Sequence, residues 1–221
     1  MTGRRTQDAL LEQGALLFAR HGVTGVTTRQ LHEAAGARNE SAVHYHFGGR
    51  AGLVAEIVRV HLETVEGRRA LLVAAIVADD RASDLRALVH ALAAPMAESL
   101  ATELGRAHLR LAAQLSHPAL AYEPAFQGTD APAGRAVAKW LRAAMTGLPG
   151  PVCRERLVAL RGQLISLLAQ RAQLLDETPD DLDLSSTELF VENLIDTLVA
   201  GLRAEPSPET LRAAKASSRR S

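Results

Sequence analysis

The chain has little with which to staple, anchor or charge itself. Its one cysteine, Cys153, has no partner for an internal disulfide. No apolar run approaches the roughly 20 residues that a membrane-spanning helix requires, because charges or glycines interrupt each one. No charged-then-apolar leader opens the sequence, so the expectation is a cytoplasmic protein with no membrane partner. The 25 basic and 25 acidic residues cancel, so bulk charge does not draw the whole molecule to nucleic acid. The signatures of catalysis are missing too: there is no G-x-S-x-G elbow, phosphate loop, dinucleotide fingerprint or H-E-x-x-H pair. The expectation is no enzyme and no cofactor. Aromatics are only 3% of a chain that is 47% hydrophobic, and the Ala-, Leu- and Arg-rich stretches that remain suit helix better than sheet. An all-α fold follows.

What is present is concentrated between Thr27 and Arg50. Thr27 can cap a helix with Gln30 at its third position, and Leu31, Ala34 and Ala35 supply an inward stripe. Gly36 can take the left-handed conformation that closes the helix and turns the chain before Asn39 begins a second one. In that second helix Val43 and Phe47, four apart, face the core together, which directs Ser41, His44, Tyr45 and His46 wholly or partly outward. Two short helices, a tight turn and polar groups on the second helix are the layout of a DNA-reading helix-turn-helix. His44 and His46 do not form a metal pair, since residues two apart on a helix point about 200° apart.

This segment resembles the N-terminal domain of the TetR-family transcriptional regulators. The resemblance is carried by Phe18 and Gly22, Thr27 and Thr28, Ala35 and Gly36, His46 and Phe47, then Arg50 and Leu53. Between Gly36 and Phe47 the chain has one residue more than the commonest family version. His44 stands where the family often has a phosphate-binding tyrosine, with Tyr45 beside it, and Arg50 replaces the usual lysine. The resemblance implies a homodimer that binds a palindromic operator in double-stranded DNA and is released by a small-molecule effector, most simply a repressor. By geometry Ser41, Tyr45 and Arg50 are expected to grip phosphates, and Asn39, Glu40 and His44 to meet base edges. Thr27, Thr28, Arg29, Arg38 and His46 complete the expected DNA-binding set. A helical adaptor without DNA binding is the rival reading.

The rest of the chain is organised as helices. Residues 6–21 read as a first helix that completes a three-helix DNA-binding head over 1–50, and a long helix over 51–79 leads into a body over 51–205 for effector binding and dimerisation. Helices are expected over 83–104, with Pro95 a kink, and over 106–115, then a loop from His117 to Gly134 and a helix from Arg135 to Leu148. In the body His90, Met96, His108, Gln114, Tyr122, Phe126, Trp140 and Met145 are the polar, soft or aromatic residues able to line a ligand cavity, and the family resemblance implies that one exists. Two leucine-rich helices follow the Pro149-Gly150-Pro151 break, the second opened by a Ser185 and Glu188 capping box. Their apolar faces, Leu157, Leu160, Leu164, Leu168, Phe190, Leu194 and Leu198, are expected to form a two-chain four-helix contact. Residues 206–221, with two prolines and many small polar residues, read as a mobile tail.

Overall fold

A computed structural model of the chain describes residues 2–37, 41–116, 131–177 and 184–218. Among them are ten α-helices and no strand: α1 (Thr2–His21), α2 (Thr28–Ala34), α3 (Ala42–Phe47), α4 (Arg50–Ala78), α5 (Leu85–Ala97), α6 (Glu103–Leu115), α7 (Pro132–Ala144), α8 (Gly150–Glu177), α9 (Thr187–Arg203) and α10 (Pro208–Ser218). The single helix expected over 83–104 is divided. A 3-10 turn, Glu98–Ala101, separates α5 from α6, whose first turn is capped by Thr102 accepting from the Gly105 amide at 3.0 Å. The loop expected from His117 to Gly134 falls mostly outside the described residues, and helix resumes at Pro132.

The chain packs as two compact units, each assembled from separated segments. The first takes Met1–Val65, Met96–Ala131 and Leu168–Leu182. Its core joins Leu10 and Phe18 of α1, Leu31 of α2, Val43 of α3, Leu53 and Ile57 of α4, and Leu111 and Leu115 of α6. Seven of these eight are almost wholly removed from water, and at roughly 1.5–3 kcal/mol each such burial is what closes a small helical head. Helix α6 packs along α1, and its Gln114 donates to the Ala19 carbonyl at 3.1 Å, serving an acceptor in the last turn of α1 that the helix itself cannot satisfy. At its other end α6 is clasped to the end of α8: Arg106 reaches Asp176 at 2.5 Å, and Arg110 reaches Asp176 at 3.3 Å and Glu177 at 3.1 Å.

The second unit takes Glu66–Pro95, Pro132–Leu167 and Asp183–Ser221. A buried ion pair organises it. Arg69 donates to Glu66 at 2.6 Å, and its Nε meets the Ala91 carbonyl at 3.2 Å. Ala91 is four residues before Pro95, which has no N–H to offer, so the arginine supplies the donor that the proline removes from the interior of α5. Glu66 in turn accepts the Gly134 amide in the first turn of α7 at 2.9 Å. Cys153 is buried, its thiol near the Met145 and Leu148 carbonyls at 3.9 and 3.7 Å.

Three sequence expectations change here. The cap of α9 is Ser186, which accepts from the Leu189 amide at 3.1 Å, one residue beyond the Ser185 expected. The C-terminal segment read as a tail contains α10: Ser207 accepts the Thr210 amide at 3.2 Å, and Pro208 and Glu209 occupy a first turn that suits both residues. Of the leucine faces assigned to a two-chain contact, Leu160, Leu164, Leu168, Leu194 and Leu198 are buried within the single chain, while Leu157 and Phe190 are half-buried. Helical period identifies an apolar face but not which surface covers it.

In the first unit His61 of α4 and His108 of α6 stack nearly parallel, ring centroids 4.5 Å apart and planes 13° apart. Burial pushes both imidazoles down to about 4, and for His61 the charge of a protonated His108 adds to that. An unfolded histidine protonates near pH 6.5, so between pH 6.5 and about 4 the unfolded chain binds more protons than the folded one. Stability should therefore be fully present above about pH 6.5 and fall as the pH is lowered through that window. His108→Phe, which keeps a flat ring and removes one titrating group, should make the thermal midpoint less steep in pH there. An unchanged acid slope would assign the loss to other groups.

Candidate nucleic-acid interface

Helix α3 has six residues, too short to persist alone, so its position is decided by what holds it. The support begins in α2. Thr27 accepts the Gln30 amide at 3.2 Å while its own amide donates to the Gln30 side chain at 2.8 Å, the reciprocal cap expected from the sequence. Gly36 closes the turn with φ of 60°, a left-handed conformation that other residues seldom adopt. From α2, the buried His32 turns its Nε2 to accept the Val43 amide at 3.3 Å. Ser41, in the N-cap position of α3, makes no side-chain cap to that helix. His32 thus serves a donor of the first turn that no residue of α3 can satisfy, and its proton must sit on Nδ1.

Below α3, Ala42 and Val43 are buried and Phe47 packs on the same core, so the helix rests on one apolar side. Its exit is equally tight. A Cβ on Gly52, in the first turn of α4, would stand 1.8 Å from the Phe47 carbonyl, so only glycine lets α4 begin against the end of α3. Arg50 adds a strut, its Nη1 donating to the Val23 carbonyl at 3.2 Å in the turn after α1.

The outer side of α3 is polar. Ser41 and His44 are exposed, and Tyr45, at 82%, is the most exposed large apolar residue among those described. His46 is half-buried, with its ring edge-on to Tyr45 at 5.0 Å and 81°. Thr27, Thr28 and Arg29 are exposed at the start of α2, and Arg29 is paired with Glu33 at 2.7 Å, which offsets its charge locally. Arg38, Asn39 and Glu40 lie outside the described residues. Sequence reasoning missed His32 and Gly52 as parts of this site. The glycine left a signal, an unfavourable helix residue in a first turn, whereas the partner of His32 is eleven positions away and leaves no local pattern.

The expected cavity residues divide between the units. Met96, His108 and Gln114 belong to the first, where His108 stacks on His61 and Gln114 holds Ala19. His90, Trp140 and Met145 belong to the second, and Met145 is buried. His90 lines a cavity of about 310 Å³ with Leu72, Ile76, Asp79, Arg81 and Arg86. Tyr122 and Phe126 lie outside the described residues.

Replacing His32 tests the footing of α3 directly. His32→Phe keeps the ring volume but leaves the Val43 amide without an acceptor, which should lower stability by about 1–3 kcal/mol and speed exchange of the α3 amides. Urea unfolding with the same midpoint as the parent chain would mean that the hydrogen bond carries no weight.

Comparison with known proteins agrees with this geometry. Residues 10–57, from the middle of α1 into α4, match the bacterial regulatory proteins of the tetR family. The HTH-type transcriptional repressor KstR2 of Rhodococcus jostii (strain RHA1) is 40% identical over 88 residues, which are 40% of this chain and 41% of that protein. The likeness thus spans less than half the length of that curated relative. In residues 10–57, where a short third helix stands on buried side chains, the chain is similar to the tetR family of bacterial regulatory proteins.

Proposed function

We propose that the protein is a homodimeric, ligand-responsive transcriptional repressor whose two α3 helices enter successive major grooves of a palindromic operator. The observation that carries this reading is a six-residue helix fixed from behind by Val43, Phe47 and the His32 hydrogen bond, with His44 and Tyr45 exposed on its outer side. No core needs that polar side. The repressor named above shares part of the chain at 40% identity, which supports the direction of control. In this reading Ser41 and Tyr45 grip phosphates, with Thr27 and Thr28 at the start of α2, and His44 meets base edges together with Asn39 and Glu40. One Arg50 nitrogen is committed to Val23, and its remaining N–H groups can still meet a phosphate. Residues 1–50 are the DNA-binding part, and 51–205 carry effector response and dimerisation.

The effector would act by binding better to the arrangement in which the heads are misplaced, lowering DNA affinity by its differential binding energy, on the usual scale of roughly 1–3 kcal/mol. Gln114 favours such coupling, since a ligand that reached α6 beside His108 would lie on the helix that already holds the end of α1. For dimerisation the surface still open on α8 and α9 is what matters. Val158 at 67% and Leu189 at 60% are exposed large apolar groups there, flanked by the half-buried Leu157 and Phe190. Burying them against a second copy fits an interface of roughly 800 Å² per partner.

A gel shift on fragments of the host genome with random competitor tests the reading, and the expected result is retention of a fragment containing an inverted repeat. No retained fragment would favour a helical adaptor. Tyr45→Ala should weaken binding to all duplexes by a similar factor, roughly ten- to hundredfold for the loss of a hydrogen bond to a charged phosphate. A loss confined to one operator base would make Tyr45 a base reader. Val158→Asp combined with Leu189→Asp should give a monomer in light scattering without loss of helical content. A particle of two chains would put the interface elsewhere.

A further inference from the structure

The cations nearest the recognition helix are mostly engaged. Arg29 is paired with Glu33, and Arg50 is tied to the Val23 carbonyl. The first turn of α1 is different. A Cβ placed on Gly3 would stand 3.9 Å from Cε1 of His46, ordinary van der Waals contact, so the N-terminal turn of α1 lies against the side of α3. Arg4 and Arg5 follow Gly3 directly, and consecutive Cα atoms are about 3.8 Å apart. Both side chains are exposed, and neither makes a hydrogen bond or ion pair with a described residue. Asp8 is the one acid in the first two turns of α1, so a positive surplus stays at this end. Arg20, also exposed, is sixteen residues further along the helix, roughly 24 Å away at 1.5 Å per residue.

His46 is half-buried at this point. Its ring lies next to Gly3 of α1 and edge-on to Tyr45, so it stands where the first turn of α1 meets α3. A helix seated in a major groove about 12 Å wide has a phosphate backbone on either side, and a basic turn beside that helix meets one of them.

We propose that Arg4 and Arg5 form a second grip on duplex DNA, an N-terminal basic flank that His46 fixes beside α3 and that neutralises backbone phosphates next to the recognition groove. This rests on the DNA-binding reading above. It assigns to His46 a positioning role in place of a direct base contact. It also adds charge beside α3 in a chain whose total is neutral.

Counterion release makes the flank measurable apart from the recognition helix. Binding of a fluorescein-labelled random-sequence duplex is followed by anisotropy across a salt series, comparing the intact chain, Arg4→Ala/Arg5→Ala and Arg4→Lys/Arg5→Lys. Each phosphate contact contributes about 0.9 to the slope of log affinity against log salt. The alanine pair should therefore be shallower by about 0.9 for each arginine removed, with the lysine pair restoring most of the slope and thermal midpoints alike in all three. A steep slope in the intact chain with the same slope in the alanine pair overturns the flank and leaves the DNA-binding reading standing. An intact chain that binds no duplex overturns both.

Discussion

A helix of six residues is below the length at which its own hydrogen bonds can hold it in water. Whatever α3 does therefore depends on the surfaces behind and beside it, and the molecule commits much of its first unit to them. Val43 enters the core formed by α1, α2, α4 and α6, His32 satisfies the amide that α3 leaves open, and the missing side chain at Gly52 lets α4 start against the Phe47 carbonyl. His44 and Tyr45 can then stay exposed, because the core and the His32 hydrogen bond hold the helix from the other side. Support and the exposed polar groups are divided between opposite sides of one short helix.

The same division governs the charges. Two of the arginines expected at nucleic acid are engaged within the protein, Arg29 offsetting Glu33 and Arg50 holding the turn after α1, and in the second unit Arg69 supplies the donor that Pro95 withholds from α5. In a chain with equal numbers of acids and bases, the cations that remain unengaged near α3 matter more than the total. Helix α6 links the remaining parts of the first unit. It contributes Leu111 and Leu115 to the head core, holds Ala19 through Gln114 and stacks His108 on His61, so a change at α6 has a short physical route to α1.

Local chemistry was legible in the sequence. The Thr27 cap with Gln30, the turn at Gly36 and the inward pair Val43 and Phe47 all depend on spacings of three or four residues, which sequence displays directly. Contacts between distant segments were not: nothing near His32 indicates Val43, and nothing near His61 indicates His108. The leucine faces of α8 and α9 were recognised as apolar, yet the chain covers much of them itself, because periodicity is silent about the partner. At α10 the signals existed and composition overrode them. Ser207, Pro208 and Glu209 are a cap, a first-turn proline and a first-turn acid, but two prolines and several serines made the segment read as a tail.

Native-state hydrogen exchange of the Val43 amide tests the footing of α3 most directly. With the His32 acceptor in place and the core beneath it, this amide should exchange only through large-scale opening of the first unit, at a rate comparable with the buried amides of α1 around Leu10 and Phe18. Exchange of Val43 at the rate of an unstructured peptide, while the α1 amides stay protected, would show that α3 is not held in the position from which it is said to read DNA.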